Sequence, residues 1–384
     1  MPSPSPQSLV ASLKRRGILR DPAIEAALLA LPRAWFLPGV SPEIAYTDRS
    51  VPYPGGPSGS REIASTQPSV TVRMLTQLRL KPGQNVLQVG AGSGYTAALI
   101  AHIIGETGRV TAIELDHVTV QDALDNLQRS QMGRVLVVEA DAAQGYAPRA
   151  NYDRILVNAA VWDVPRAWVQ QLKAEGILVA PIWLDALQYS AAFRLQAGGT
   201  LVSSDLTPTH FVPLRGNAAG PRMDLRIGGS SLLLTGKTNR IDSAALHMLM
   251  SEPGEIDYLS APLTDEARAR NLLPYLMLHL PPEVTFCLYS FEGEQLPYGM
   301  NRTGFAVLAL GSAAFISLEG DFRSFIFGGA DAFIAAHEAF RSWHDAGMPG
   351  DERLRVRLAH PDTPPEPGMR VFQRVDHDVQ VWLE

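Results

Sequence analysis

The stretch Val86-Leu87-Gln88-Val89-Gly90-Ala91-Gly92-Ser93-Gly94-Tyr95 decides the fold, because it runs from an apolar strand through a glycine-rich turn into the start of a helix. Glycines in such a turn let the backbone approach a ligand where a side chain would collide, and the first N–H groups of the helix face the same point. The dinucleotide fingerprint G-x-G-x-x-G requires a glycine where Tyr95 stands, so the G-x-G-x-G found here speaks against a pyrophosphate cradle.

Outward from the turn, apolar strands and helices alternate. Helical spacing over 95–104 is followed by a strand at 110–113, a helix over 118–131 and strands at 135–138, 155–157 and 176–179, with a hairpin over 190–195 and 200–202. That alternation predicts βαβ units and an α/β, doubly wound, Rossmann-like sheet. Upstream, 9–31 reads as two short helices broken at Arg20-Asp21-Pro22, with Asp21 capping the second and Pro22 at its first position. A Pro/Gly/Ser-rich loop covers 38–60, and a helix over 69–80 ends at Lys81-Pro82-Gly83.

At 384 residues the chain exceeds what one core usually supports. Small and turn-forming residues at 215–221 mark a linker, which predicts a first domain over 1–215 and a second, smaller α+β domain over 223–384. Helices are expected there at 242–249, 264–278 and 331–343, and strands at 286–290, 305–310 and 354–358. A chain ending at Gly220 is expected to fold by itself.

Hydrophobic residues at 46% and charged ones at 19% are ordinary globular values. A net charge of −6 leaves no electrostatic footprint for nucleic acid, and no apolar run approaches the roughly 20 residues of a membrane span. The first six residues lack the layout of a secretory signal, so a cytoplasmic location is expected. Cys287 stands alone, which excludes an intrachain disulfide, and it reads as a small buried apolar residue. The nine histidines show no metal-binding spacing, and no metal is expected.

The second strand ends at Glu114, where an acid can accept hydrogen bonds from ribose hydroxyls, with Asp116 as the competing acid. The third ends at Glu139-Ala140-Asp141, and a carboxylate there can accept a bond from an adenine amino group. Together with the turn, these acids make the pattern similar to the S-adenosylmethionine site of class I methyltransferases.

The resemblance extends along the first part of the chain. The segment 27–38, Ala45-Tyr46-Thr47-Asp48-Arg49-Ser50-Val51-Pro52, Ser65-Thr66-Gln67-Pro68, the turn, Gly145-Tyr146, Tyr152-Asp153-Arg154-Ile155 and Phe211-Val212-Pro213-Leu214 follow in the order found in protein-L-isoaspartate O-methyltransferases. The resemblance implies S-adenosylmethionine as cofactor and a protein or peptide bearing isoaspartate or aspartate as substrate. It places Ser65, Gln67, Gly90, Ala91, Gly92, Ser93, Gly94, Tyr95, Glu114, Leu115, Asp141 and Ala142 around the cofactor, and Thr66 beside the substrate carboxylate. Thr66 stands where the family has Ser, and 60–64 departs from the usual Gly-x-Thr-Ile, which bears on the substrate more than on the cofactor. By residue type alone, Ser65 and Thr66 could instead cap a helix. Two other functions stay open: an aspartate methyltransferase acting on a ribosomally made, modified peptide, and a regulatory protein that binds the cofactor without turnover. No catalytic base is evident, and methylation of an ionised carboxylate needs none.

Overall fold

The computed structural model describes residues 3–52, 64–259, 268–293, 296, 299–318 and 323–384. Helices α1 (Pro6–Arg15) and α2 (Pro22–Ala30) open the chain. Asp21 accepts a hydrogen bond from Ala23 N at 2.8 Å and Pro22 occupies the first turn, as its sequence predicts. The proline-rich start is less of a tail than its composition suggests, because Ser5 and Ser8 exchange backbone and side-chain hydrogen bonds in a capping box that starts α1 at Pro6. Next come α3 (Pro42–Ala45), the short strands β1 (Val51–Pro52) and β2 (Ala64–Ser65), and α4 (Pro68–Leu78). Of the 38–60 loop and the divergent 60–64 segment, residues 53–63 lie outside the described residues.

The α/β unit follows: β3 (Asn85–Val89), α5 (Tyr95–Ile104), β4 (Arg109–Glu114), α6 (His117–Arg129), β5 (Leu136–Glu139), β6 (Tyr152–Val157), α7 (Arg166–Gln171) and β7 (Leu172–Trp183), then β8 (Gln188–Leu195) and β9 (Leu201–Pro208). Strands β5-β4-β3-β6-β7 are parallel neighbours, and β8 and β9 add antiparallel edges. The chain reverses direction across the sheet at β3, where crevices for ligands form in such folds.

The C-terminal part departs from the expected boundary. Strands β10 (Asp224–Arg226), β11 (Leu232–Gly236), β12 (Glu255–Tyr258), β13 (Thr285–Phe291), β14 (Thr303–Ala309), β15 (Ser312–Ser317) and β16 (Arg323–Gly328) form an antiparallel sheet with α8 (Ser243–Leu249), α9 (Leu273–His279) and α10 (Asp331–Asp345). The strands β17 (Leu354–Ala359), β18 (Arg370–Phe372) and β19 (Asp378–Leu383) instead extend the first sheet, giving ten strands in the order β18-β19-β17-β9-β8-β7-β6-β3-β4-β5. Residues 223–384 are therefore not one separate unit in the sheet pairing. The physical reason is the open edge of β9, which β17 fills: Arg357 and Leu358 pair with Val202 and Leu201, and Ser203 Oγ accepts from Val356 N at 2.8 Å. The helix expected over 264–278 is found at its C-terminal end, while 260–267 lie outside the described residues.

The core follows the pleat. Val86, Ala112, Leu156 and Val179 point into a cluster with Leu9, Leu28, Leu75 and Ile100 of the N-terminal helices. Leu87, Val89, Ile155, Val157 and Leu178 point the other way, into a cluster that also holds Leu276, Phe305, Trp343, Val356 and Val381 from the C-terminal part. Cys287 is fully buried in a third cluster, with Leu246, Phe315 and Phe327, on the far face of the second sheet. No helix among the described residues is long and apolar enough to cross a membrane.

Because one face of the first sheet is covered by residues beyond 220, a chain ending at Gly220 should be destabilised rather than independent. Each uncovered core side chain is worth about 1.5–3 kcal/mol. Thermal unfolding should therefore fall by roughly 10 °C or more at about 2–4 °C per kcal/mol. A fragment that melts at the temperature of the full chain would show that the C-terminal cover is dispensable.

Candidate active site

The glycine turn hangs on β4 through Gly90 N and Ala91 N, which donate to Ile113 O at 2.9 and 3.1 Å. Gly90, Gly92 and Gly94 have φ of +82°, +52° and +82°, the region that favours glycine. Their surroundings differ. A Cβ on Gly94 would press on Leu127 and Ala123 O of α6 at 3.2 and 3.3 Å, and one on Gly90 would touch Asn158 at 3.6 Å. A Cβ on Gly92 would meet no atom of the described residues within 4 Å. Gly94 thus serves helix packing, while Gly92 faces open space.

That space is a cleft of about 890 Å³, partly open to solvent, at the C-terminal ends of β3, β4 and β6. Ser65, Thr66, Gly90, Ala91, Gly92, Ser93, Tyr95, Glu114, Leu115 and Ala142 line it. Gly94, Gln67 and Asp141 do not. Gln67 sits at the cap position of α4, and the Asp141 carboxylate accepts from Ala143 N at 2.9 Å and Asn217 N at 2.6 Å, which ties the 216–217 segment to the end of β5.

The two candidate ribose acids separate by geometry. Asp116 caps α6, accepting from Thr119 N at 2.9 Å and Thr119 Oγ1 at 2.8 Å, and the Thr119 backbone bond leads the causes that hold its carboxyl below the usual range. Glu114 reaches into the cleft floor, where its oxygens accept from Gly92 N at 3.0 Å and Leu115 N at 2.9 Å. One carboxylate thereby fixes both the turn and the strand end.

The loop carrying Ser65 and Thr66 is fastened by Arg33, which is 1% exposed. Its guanidinium donates to the carbonyls of Ala45, Thr47, Arg49, Ser65 and Thr66 at 3.0–3.4 Å, and to Ser65 Oγ at 3.2 Å. Among the described residues no carboxylate contacts it. Burial brings its pKa down to about 10, which Tyr95 and Asp48 partly oppose through space. Asp48 itself caps α4 by accepting from Ser69 N at 2.8 Å and pairs with Arg16. Burial pushes its carboxyl up, but Arg16, Ser69 and Gln67 outweigh this and hold it below the ordinary carboxylate range. Since Asp48 does the capping, neither Ser65 nor Thr66 is a helix cap: Ser65 serves Arg33, and the Thr66 hydroxyl has no protein partner among the described residues.

The cleft holds residues that sequence reasoning passed over. Asn158, at the end of β6, donates to Thr96 Oγ1 at 3.3 Å while its Oδ1 is buried without a hydrogen-bond partner among the described residues. A polar residue at the C-terminal end of a central parallel strand was the available signal. The 212–215 segment forms the facing rim, held by Ala160 N to Val212 O and Leu214 N to Ala160 O, each at 2.8 Å.

Known proteins resemble the chain in this region and beyond it. The family model of protein-L-isoaspartate(D-aspartate) O-methyltransferase matches residues 5–219. A protein-L-isoaspartate O-methyltransferase of Hyperthermus butylicus is 36% identical over 216 residues, covering 54% of this chain and 87% of that one. That of Azorhizobium caulinodans is 36% identical over 207 residues, covering 54% and 91%. A solved protein-L-isoaspartate O-methyltransferase structure aligns with a TM-score of 0.53 at 22% identity over 92% of this chain and 96% of that one, so the fold recurs with its C-terminal part included.

Two outcomes test this geometry. Gly92→Leu should abolish binding of S-adenosylmethionine in calorimetry, and Glu114→Ala should weaken it by about 1–3 kcal/mol through loss of a buried acceptor. Unchanged affinity in both variants would remove the cleft from consideration. Arg33→Met should lower stability by about 2–4 kcal/mol, because several buried carbonyls lose their donor, and Arg33→Lys should fall between, since one ammonium cannot reach them all. Chemical denaturation measures both.

Proposed function

Because the chain belongs to the protein-L-isoaspartate(D-aspartate) O-methyltransferase family, we propose that it transfers a methyl group from S-adenosylmethionine to the carboxylate of L-isoaspartyl residues in proteins or peptides. The observation that carries this reading is a single cleft in which the 90–94 turn and Glu114 face the Ser65-Thr66 loop held by Arg33.

The residues fit the cofactor. Gly92 leaves room where a side chain would intrude, and Asn158 offers a buried acceptor that has no donor among the described residues. Glu114 presents two carboxylate oxygens with about four acceptor sites, of which backbone N–H groups occupy three at most. In this reading Glu114 takes a ribose hydroxyl and Asn158 takes the ammonium of the methionine moiety. Ala91, Ser93, Tyr95, Leu115 and Ala142 shape the walls around it. Asp141 acts at one remove, as a positioning residue that holds the 216–217 segment.

When bound, S-adenosylmethionine supplies a methyl group already activated on its sulfonium. A substrate carboxylate is ionised at neutral pH and needs no base from the protein. What remains for the protein is to align the attacking oxygen and to keep water out. Thr66 does the first by donating its hydroxyl to the carboxylate oxygen that does not attack. Arg33 holds the Thr66 backbone in place for that bond.

Mass spectrometry of matched isoaspartyl and aspartyl peptides after incubation with enzyme and cofactor should find the methyl on the isoaspartyl peptide. Methyl on the aspartyl peptide instead would assign the chain to peptide aspartate modification, and none on either would end the reading. Thr66→Ser should keep activity, while Thr66→Val should lower turnover by roughly one to two orders of magnitude, since a charged partner loses one donor. Thermal stability should stay unchanged in both, because Asp48 rather than Thr66 starts α4.

A further inference from the structure

We propose that a cleft between the 237–240 loop and the 370–374 segment is a second, anion-binding site that takes an acidic side chain of the polypeptide substrate, a short way along the chain from the carboxylate that is methylated. The inference rests on the reading of the protein as a polypeptide carboxyl methyltransferase.

The cleft, of about 1090 Å³ and partly open to solvent, is lined by Trp162, Arg222, Lys237, Arg240 and Arg374 and, among the described residues, by no carboxylate. It shares Lys237, Arg240 and Val371 with an adjoining cavity of about 800 Å³ that adds Arg370 and Asp185. In a chain of net charge −6, five cations of the described residues are gathered here, with Asp185 as the acid of the adjoining cavity and with Asp163 and Asp378 acting on Arg374 through space. Asp185 by itself does not balance them. Asp185 is buried with a φ of +154°, and its Oδ1 lies 3.9 Å from Lys237 Nζ and has no hydrogen-bond partner among the described residues.

The cations are set for a ligand in different ways. Arg374 is rigid: it donates to Trp162 O at 3.1 Å and Trp183 O at 3.4 Å, and its guanidinium lies 3.3 Å from the centre of the Trp162 ring. Lys237 is half-buried, donates no hydrogen bond among the described residues and rests over the Phe372 ring at 4.8 Å. Burial lowers its pKa despite Asp185, and Arg240, Arg374 and Arg370 lower it further. Arg222 and Arg240 are exposed at the mouth, and Arg240 spends one bond, 3.2 Å, on Pro282 O. Cations held this close repel one another, and a carboxylate among them relieves the repulsion while gaining charge-assisted hydrogen bonds.

The position favours the substrate as the source of that carboxylate. Ala159 lines the cofactor cleft and Trp162 lines this one, so the chain between them limits the two walls to about 11 Å apart. The surface segment from Val212 to Arg222 runs from one cleft to the other. An extended peptide spans this distance in about three or four residues.

The test is kinetic, on the full chain, with isoaspartyl peptides that differ only in Glu or Gln about three or four residues from the isoaspartyl residue. The Glu peptide should show a KM about five- to tenfold lower, as a partly exposed charge-assisted bond allows. In the Arg222→Gln, Arg240→Gln double variant that advantage should vanish while the KM of the Gln peptide and the affinity for S-adenosylmethionine stay as they were. Arg240→Glu should shift preference to a Lys-bearing peptide. Anisotropy of fluorescent Glu and Gln peptides gives the same comparison without turnover. Loss of methylation on every peptide with the Glu preference in binding intact would sink the functional reading and leave the anion site standing. Equal KM and equal binding for the two peptides, or a Glu preference that survives in the double variant, would overturn the proposal. So would oligonucleotide binding abolished in the double variant without discrimination between the peptides.

Discussion

A strand whose alternate side chains enter two different cores cannot be left bare on either side, and β3 is such a strand. Val86 packs among the N-terminal helices, while Leu87 and Val89 pack in the cluster completed by the C-terminal part. The same holds for β6, whose Leu156 and Ile155 part in opposite directions. A parallel sheet is stable only with both faces covered. The covering elements come from opposite ends of the sequence, so the glycine turn at the end of β3 is held by the whole chain.

Arg33 solves a related problem for the loop that faces the turn. Segments 45–49 and 65–66 have little secondary structure to supply donors, and the carbonyls of Ala45 and Ser65 are buried while those of Thr47, Arg49 and Thr66 are partly so. A single guanidinium satisfies five of them, from a residue that is itself out of water. The five-donor fork of arginine makes this possible, and the cost of burying its charge is offset by carbonyl dipoles rather than by a carboxylate. Thr66 lines the cleft with a hydroxyl that serves no hydrogen bond of the fold among the described residues.

What was legible in the sequence is what local pattern encodes. The glycine turn, the parallel strands and the break at Asp21-Pro22 depend on neighbours within a few residues, and each lies within a few residues of where its pattern put it. The helix at 331–345 was legible for the same reason. The destination of 354–383 was not. Strand pattern says that Leu354 to Leu358 is extended, but which edge it joins is decided by a pairing with residues about 150 positions away. Short strands such as Arg370–Phe372 carry too few residues for periodicity to register. Arg33 was hidden by the rule that arginine lies outside, and Asn158 by the lack of any motif around it.

The joining of β17 to β9 also sets an order of events in the making of the protein. A ribosome adding about 5–20 residues per second needs roughly ten seconds to travel from the end of β9 at Pro208 to the start of β17 at Leu354. Throughout that interval the outer rim of β9 carries unpaired backbone groups and could zip onto a neighbouring nascent chain. Ser203, Ser204 and Asp205 sit in that strand, two hydroxyls and a charge where an aggregation-prone edge would carry apolar residues. The composition of β9 is therefore suited to two lives, as a solvated margin during synthesis and as an inner strand afterwards.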